Sequence, residues 1–515
     1  MLLCAASCGE KAGNGEKMEL TERITVTDEE IGAVPGDGTD DSPFILRAIA
    51  EAEGKRIELI FPTGEYTIRQ DMTIPENVTL CFDKGACFKT DRDVTVTLEN
   101  CSIRSSVQAI LIGEGKYKGR CSGEAYLRWM GAEANGADVS EKMQTAVDIF
   151  DTVKLTPGST DWRFDGIVIS KPTAIVGEGA VRVPIRYAGD KDVFRIASGG
   201  VTVKDLSFTG TGSGSGGSAV FYFDTSACSM SGITVENCFG QSVGSVVRDA
   251  GTGENHVSDF TMEGCAFTHC YGIGICTSDF SDGLVFRDVV INNVGFPAEI
   301  TWAGWHLKNV TGALMDNIDA AGGFGSGSGA AGFIFEDCRN IEVLRGMQDY
   351  VNGSGLILKN CSGLRFSNFV CSLYEEYGLY LGNVTDSVFE MTVANGIYPT
   401  VDVMATRGVV CDAVKLVGCS GVTFRNLTLT CNQSDGIVIE DSHHLAFHSV
   451  VYAGGRGDCL IEEGTSDYNA VDGLVCGDNY SGSAEVVLIG SHSSIRGASF
   501  GSRDAVSAEG PAVLG

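Results

Sequence analysis

The segment that decides the fold runs from Ala331 to Ala470 and repeats one short pattern. Its six rows are Ala331-Gly-Phe-Ile-Phe-Glu-Asp-Cys338, Ser354-Gly-Leu-Ile-Leu-Lys-Asn-Cys361, Tyr377-Gly-Leu-Tyr-Leu-Gly-Asn-Val384, Asp412-Ala-Val-Lys-Leu-Val-Gly-Cys419, Asp435-Gly-Ile-Val-Ile-Glu-Asp-Ser442 and Asp458-Cys-Leu-Ile-Glu-Glu-Gly-Thr465. The rows end 23, 23, 35, 23 and 23 residues apart. A fixed period in this range is typical of a solenoid, in which each repeat packs on its neighbours.

Within each row, apolar residues stand two positions apart, as Leu356 and Leu358 do, and this period indicates a strand. Asp, Asn or Gly follows, and these residue types tolerate the left-handed backbone of a tight corner. A second strand then begins, with inward candidates such as Leu364 and Phe366. Strands, tight corners and about 23 residues per turn predict an all-β parallel β-helix. We count about twelve coils from residue 196 to residue 501.

Because parallel coils stack with a rise of about 4.8 Å, equivalent side chains in successive rows lie on top of one another. Two interior ladders are therefore expected. One is aromatic (Phe366, Phe389, Phe424 and Phe447), and one is built of small residues (Cys338, Cys361 and Cys419).

The N-terminal part carries a second pattern, which begins at Gly36-Asp-Gly-Thr-Asp-Asp-Ser-Pro43. A helix follows, with one apolar face formed by Ile45, Ala48, Ile49 and Ala52, then a strand at 57–61 and Pro62-Thr-Gly-Glu-Tyr66. This order resembles the N-terminal end of the pectate-lyase-like superfamily, which includes polygalacturonases, rhamnogalacturonases, epimerases and phage tailspike depolymerases. The resemblance implies a right-handed parallel β-helix whose first coil is covered by an N-terminal helix-containing cap.

A degraded second copy of this pattern follows Tyr126-Leu-Arg-Trp-Met-Gly-Ala132, with a helical stretch at 140–149. We therefore divide the chain into a leader (1–20), an N-terminal cap with a first β segment (21–125), the pectate-lyase-like β-helix (126–501) and a tail (502–515). The leader ends its apolar run in Ala6-Ser-Cys8, which resembles a bacterial lipoprotein signal with Cys8 as the lipidated residue.

The net charge of −30 argues against nucleic acid and against an anionic membrane surface as partners. The resemblance implies a polysaccharide instead. It also implies an extracellular or cell-surface location, with Cys8 as a lipid anchor, or a place in a phage tail.

The first residue of the row is Asp in three consecutive coils, at Asp412, Asp435 and Asp458. Stacked carboxylates about 5 Å apart raise at least one pKa, which places an acid beside a base and suits glycoside cleavage. Asn432-Gln-Ser-Asp-Gly436 and Gly455-Arg-Gly-Asp-Cys459 partly resemble polygalacturonase motifs, which implies catalytic roles for Asp435 and Asp458. The same trio could instead hold Ca²⁺ if the protein is a lyase, with no other cofactor expected, or it could be a structural ladder that caps turns.

Further side chains are candidates for substrate binding. The alignment of the rows predicts that four side chains lie near the Asp residues: Arg456, Tyr374, Tyr377 and Tyr398. It also predicts an outward-facing row on the second strand, formed by Glu390, Arg425 and His448. An apolar strip should also face outward, and it could be covered by loops or form a homotrimer contact: Ile334, Ile357, Tyr380, Val438 and Ile461. The sequence leaves open a hydrolase, a lyase and a non-catalytic carbohydrate-binding or structural β-helix of the tail-fibre or adhesin kind.

Overall fold

The computed structural model describes residues 22–52, 54–187, 191–210, 219–245, 257–292, 303–322, 331–351, 353–394, 412–430, 434–455, 457–477, 486–500, 506–508 and 513–514. About 58% of the residues are in strands, arranged as a parallel β-solenoid of about 15 turns, so the predicted fold class is confirmed. The chain divides into two units, Met1–Gly131 and Ala132–Gly515.

Unit 1 contains the predicted helix, α1 (Ser42–Glu51), with Pro43 in its first turn. Ile45, Ala48 and Ala52 are buried, as their spacing predicts. Asp41 is also buried, and its carboxylate accepts the N–H groups of Val34 (3.2 Å) and Thr67 (2.9 Å). The strands of unit 1 pair in parallel and are β1 (Glu22–Thr25), β2 (Ile57–Phe61), β3 (Gly64–Ile68), β4 (Met72–Ile74), β5 (Val78–Phe82), β6 (Ala86–Thr90), β7 (Thr95–Arg104), β8 (Leu111–Gly113) and β9 (Lys116–Tyr126), followed by a 3₁₀ turn at Leu127–Met130.

Unit 2 begins with the second predicted helix, α2 (Ser140–Ile149), and continues as strands. The first fifteen are β10 (Phe150–Leu155), β11 (Trp162–Arg163), β12 (Ile167–Ile169), β13 (Ala174–Gly177), β14 (Val183–Tyr187), β15 (Phe194–Ile196), β16 (Thr202–Lys204), β17 (Leu206–Gly210), β18 (Ala219–Phe223), β19 (Ser229–Ser231), β20 (Thr234–Ser245), β21 (Thr261–Glu263), β22 (Ala266–Ser281), β23 (Leu284–Asn292) and β24 (Ala303–Ala321).

The repeat rows themselves form the remaining strands. These are β25 (Ala331–Glu336), β26 (Arg339–Val351), β27 (Ser354–Lys359), β28 (Arg365–Tyr374), β29 (Tyr377–Gly382), β30 (Val388–Ala394), β31 (Asp412–Val417), β32 (Thr423–Arg425), β33 (Thr428–Thr430), β34 (Ile437–Glu440), β35 (Ala446–Ala453), β36 (Leu460–Glu463), β37 (Ala470–Cys476), β38 (Val486–Leu488), β39 (Ser494–Arg496), β40 (Ser499–Phe500), β41 (Val506–Ala508) and β42 (Val513–Leu514).

Each turn of the repeat contributes to three parallel sheets. Sheet I is the stack of β25, β27, β29, β31, β34, β36 and β38. Sheet II is formed by the first residues of β26, β28 and β30, then by β32, β35, β37 and β39. Sheet III is formed by the later residues of the same long strands and by β33 and β40. The predicted pattern contained only two strands per turn, although the corner between sheets II and III carries its own left-handed residues: Asn368, Asn426 and Gly473 have φ values of 53°, 50° and 76°.

The predicted corners between sheets I and II are confirmed. Asn360 and Asn383 have φ values of 54° and 54°, and Gly418 has 64°. The Asn383 side-chain amide donates to Asn360 Oδ1 at 3.1 Å, and Asn360 donates in turn to Asp337 Oδ1 at 3.1 Å. The corner residues therefore tolerate the left-handed backbone and also link successive turns.

The interior ladders form as predicted. Centroid distances along the aromatic ladder are 5.3 Å from Phe366 to Phe389, 5.3 Å from Phe389 to Phe424 and 5.0 Å from Phe424 to Phe447, and all four rings are fully buried. Cys338, Cys361 and Cys419 are buried with free thiols. The glycine at the second position of four of the six rows leaves room for this interior, since a Cβ on Gly378 would lie 2.2 Å from Val393 Cγ1.

One detail of the register was predicted wrongly. Thr465 was expected to end its row, but Ser466 takes the place that Ser442 holds one turn earlier, since Ser442 N–H donates to Ser466 Oγ at 3.2 Å. The turn at Gly464 contains one extra residue, which shifts all later positions of that coil by one. None of the helices in the described ranges has the length and apolar character needed to cross a membrane.

Candidate functional site

The three predicted Asp residues, here called the Asp column, occupy one position on three consecutive turns. Asp412 opens β31 and pairs in register with Tyr377 of the turn before. Ala413 N–H donates to the Asp435 carbonyl (2.9 Å), and Gly436 N–H donates to the Asp458 carbonyl (2.8 Å). The 23-residue spacing therefore brings the three carboxylates together at the N-terminal ends of the strands of sheet I.

The carboxylates of Asp412 and Asp435 each accept a backbone N–H from the following turn. Asp435 N–H donates to Asp412 Oδ1 at 3.2 Å, and Asp458 N–H donates to Asp435 Oδ1 at 2.7 Å. All three residues are half-buried. These bonds satisfy backbone donors that the corner would otherwise leave without a partner, so the column has a structural role whatever else it does.

The electrostatic environment singles out Asp435. Burial raises the pKa of its carboxyl, and the neighbouring Asp412 charge raises it further, against the opposing hydrogen bond from Asp458 N–H. In contrast, hydrogen bonds from Thr465 hold the pKa of the exposed Asp441, six residues further along, below its usual value. Asp435 is thus placed to hold a proton closer to neutral pH, which a general acid requires.

Two tyrosines lie beside the Asp column on the outer side of sheet I. The rings of Tyr377 and Tyr380 are half-buried, 5.5 Å apart and tilted by 46°. Burial raises the pKa of the Tyr377 hydroxyl, and the charge of Asp412 adds to this effect. The prediction that Tyr374 also binds substrate is wrong, because its side chain is fully buried in the interior. Tyr398 and Arg456 lie outside the described residues, as does Cys8.

A charged group that the sequence did not identify completes this face. Lys415 Nζ lies 2.8 Å from Glu440 Oε2 and 3.3 Å from Glu463 Oε2, and only 14% of its side chain is exposed. Burial by itself would lower the pKa of Lys415, but the hydrogen bonds to the two glutamates outweigh it and raise the pKa. The available signal was Lys415 itself, since it interrupts the apolar strip between Tyr380 and Val438.

The predicted row of Glu390, Arg425 and His448 lies on sheet II. Arg425 pairs in register with His448, and both are exposed. Glu390 Oε1 instead accepts a hydrogen bond from the side chain of Asn426 at 3.1 Å. Because of the extra residue in the turn at Gly464, His448 pairs with Asp472 rather than with Val471, at 4.0 Å between Nδ1 and Oδ2.

The apolar strip aligns in register but is only partly accessible. Ile357 and Val438 are 7% and 4% exposed within the single chain. Ile334, Tyr380 and Ile461 are half-buried. Ile357 and Val438 therefore offer little accessible area to a second copy of the chain. This favours cover by other parts of the same chain over a contact between subunits.

The fit of the Asp column to Ca²⁺ is poor. The Oδ1 atoms of Asp412 and Asp435 are directed at backbone N–H groups rather than at one shared point. Across the described ranges, no three His, Cys, Asp or Glu side chains are grouped so that they could hold a metal ion. We therefore derive no step through a cation.

Comparison with known proteins finds similarity only in structure. No protein-family model and no curated protein matches the chain. Among solved structures, the enzymatically active domain of bacteriophage CBA120 tailspike protein 2 aligns at 14% identity and a TM-score of 0.35, over 73% of this chain and 52% of that one. The family 28 exopolygalacturonase of Yersinia enterocolitica aligns at 10% identity and a TM-score of 0.25, over 88% and 78% of the two chains. The surface adhesin PfbA of Streptococcus pneumoniae aligns at 11% identity and a TM-score of 0.28, over 85% and 93%.

These values limit what the comparisons say. The chain spans about half the length of two tailspike protein 2 structures, at 52% and 42% of their chains. Identities and TM-scores this low carry no information on activity, and the three proteins differ in function. The chemistry of this chain has to be argued from its own side chains.

Proposed function

We propose that this chain, a right-handed parallel β-helix of the pectate-lyase-like kind, acts on a polysaccharide at the outer edge of sheet I. The single observation that carries the proposal is the Asp column beside the Tyr377–Tyr380 pair, with Asp412, Asp435 and Asp458 on consecutive turns. Aromatic rings next to paired carboxyls are the combination that binding and cleaving a sugar chain needs.

The roles follow from the surroundings of each group. Asp435, whose carboxyl has a raised pKa, donates a proton to the leaving oxygen. Asp412 or Asp458, each about 5 Å away by the turn spacing, supplies the second carboxylate. A separation of about 5 Å between the acid and the second carboxylate corresponds to a retaining hydrolase. Tyr377 and Tyr380 would hold a sugar ring in place.

Asp435→Asn is the sharpest test, because the amide keeps an oxygen that can accept the Asp458 N–H. The matched control is Asp441→Asn, which changes another Asp that accepts a backbone N–H from the same following turn but lies at an exposed corner. On a glycan panel with product analysis, we expect Asp435→Asn to lower the cleavage rate by about 100-fold or more. Asp441→Asn should stay close to wild type, and both variants should keep the wild-type circular dichroism.

Equal losses in the two variants would contradict a catalytic role for Asp435. An unsaturated, ultraviolet-absorbing product would assign a lyase instead of a hydrolase.

The alternative is a carbohydrate-binding β-helix that cleaves nothing. The observation in its favour is that Asp412 and Asp435 already use one oxygen each to hold the backbone of the next turn. A wild-type protein that binds one glycan of the panel and leaves it intact would select this alternative.

The setting that fits either function is extracellular or at a cell surface. Lipidation of Cys8 remains a prediction, which mass spectrometry of membrane-extracted protein tests. A homotrimer built on the apolar strip also remains a prediction, which sedimentation in solution tests.

A further inference from the structure

A second feature of unit 2, on its first turns, is a cavity of about 510 Å³. Two arginines contribute to its walls, together with Asn135, Thr160, Asp161 and Tyr187. A volume in this range suits one or two sugar rings. None of these residues belongs to the Asp column or to the surfaces beside it.

The two arginines face each other across neighbouring strands. Arg163 of β11 pairs directly in parallel register with Arg186 of β14. Like charges in directly opposed positions, about 5 Å apart across strands, repel each other unless an anion lies between them. The sequence places a cationic pair here although the chain as a whole carries −30.

Only one of the two arginines forms an ion pair within 4.0 Å in the described part of the chain. Arg186 binds Asp161, with Nε and Nη2 at 3.2 Å and 3.1 Å from Oδ2. Within the described part of the chain, Arg163 has no carboxylate within 4.0 Å. Asp138 is in bridge register with Arg163, but Asp138 Oδ1 accepts the Ser140 hydroxyl (2.7 Å) and N–H (2.9 Å) instead of a guanidinium N–H. These two hydrogen bonds lower the pKa of Asp138, and the charge of Arg163 helps to lower it. The guanidinium of Arg163 is thus left for a ligand.

The rest of the lining suits a sugar. Asn135 and Thr160 offer an amide and a hydroxyl to ring hydroxyl groups, and Tyr187 forms an aromatic wall whose side chain is almost fully buried. A guanidinium fork recognises a carboxylate with two parallel hydrogen bonds.

We propose that this cavity binds a saccharide that carries a carboxylate, held by Arg163 and Arg186. The proposal does not depend on cleavage at the Asp column, because it rests on different turns and different groups. It assigns an anion-binding role to two arginines that stand side by side in register.

The test compares Arg163→Gln with Arg345→Gln. Arg345 is a matched control, because it is an exposed arginine bound to an Asp on another turn, with Nε 2.7 Å from Asp316 Oδ1. Binding is measured by calorimetry on the full chain with a hexuronic acid disaccharide, the matching neutral disaccharide and inorganic phosphate.

We expect the wild type to bind the uronic acid disaccharide in preference to the other two probes. Arg163→Gln should weaken this binding by about 10- to 100-fold, and Arg345→Gln should leave it unchanged. Without ligand, the Tm of Arg163→Gln should equal or exceed that of wild type, because the repulsion with Arg186 is gone.

Three outcomes would overturn the proposal. These are no binding of the uronic acid disaccharide, equal binding of the neutral sugar or of phosphate, and equal effects of the two substitutions. An Arg163→Gln variant that loses stability without ligand would assign Arg163 to the fold and overturn it as well. A second variant, Arg186→Gln, keeps the test decisive, since it removes the other half of the anion site.

Discussion

Replacing Glu462 by Gln tests whether the last turns of unit 2 depend on one buried carboxylate. Glu462 points inward from β36, is only 2% exposed and pairs in register with Ile439 of the turn before. Its two oxygens accept four hydrogen bonds: Oε1 from Asn469 Nδ2 (2.8 Å) and Ser493 Oγ (2.7 Å), and Oε2 from the N–H groups of Ile489 (2.9 Å) and Gly490 (3.0 Å). A carboxylate thus occupies a position that is apolar in the turn before, and its hydrogen bonds hold the next turn in place.

The expected loss follows from counting donors. Glutamine has the same size but only one acceptor oxygen, so two of the four donors would face an NH₂ group. A buried donor that loses its acceptor costs about 1–3 kcal/mol. Burying a neutral amide instead of a charge offsets part of this loss. We expect Glu462→Gln to lower the free energy of unfolding by about 3 kcal/mol.

The neighbouring Glu463 is the control. It stands on the same strand but faces outward, half of its side chain is exposed, and it pairs with Lys415 at 3.3 Å. Exposed ion pairs contribute about 0–1 kcal/mol, so Glu463→Gln should change the free energy of unfolding by no more than that.

The assay combines chemical denaturation with amide hydrogen exchange. Turns of a solenoid contact only their neighbours, so the loss of protection in Glu462→Gln should concentrate at Ile489, Gly490 and Asn469. The reasoning is refuted if the two variants lose the same stability, or if protection falls equally throughout unit 2.

Two further predictions concern the interior and the outer face. Phe424→Ala removes a ring that lies 5.3 Å from Phe389 and 5.0 Å from Phe447, and should lower the free energy of unfolding by about 3–5 kcal/mol in denaturant titration. Phe424→Leu refills most of the lost volume and should lose clearly less, and equal losses would contradict the cavity as the cause. Burial, and then the charge of Asp349, raises the pKa of Asp319 to about 6. Because this folded pKa is above the unfolded value of about 3.9, the penalty is absent below pH 4 and grows as the pH rises through 6. Asp319→Asn should therefore gain about 1–2 kcal/mol at pH 8, after allowance for solvent screening, and nothing at pH 4; a gain of the same size at both pH values would contradict it.

The repeat period was sufficient to predict most of the solenoid. Residues such as Phe389 and Phe424 are separated by whole turns, so they meet the same surroundings, and their stacking follows from the spacing alone. The same holds for the left-handed corner at Asn383 and for the alignment of Asp412 with Tyr377. The third strand of each turn was missed because the corner before it is marked less regularly: Asn368, Asn426 and Gly473 take the left-handed backbone there, but Ser449 does so in another turn. The row end at Ser466 was missed because a single extra residue in a corner leaves the local pattern intact.

By itself, the sequence determined the architecture of this protein and which residues stack on one another in successive turns. The reason is that a regular period places residues one repeat apart in the chain next to each other in space. Only the tertiary structure decided what each side chain in a column does. It buried Tyr374, turned one oxygen of Asp435 towards a backbone N–H and paired Lys415 with two glutamates. In the described part of the chain it left Arg163, in register with Arg186, without an ion pair within 4.0 Å. These outcomes depend on atoms supplied by other turns and other sheets, at distances that no local pattern of residues encodes.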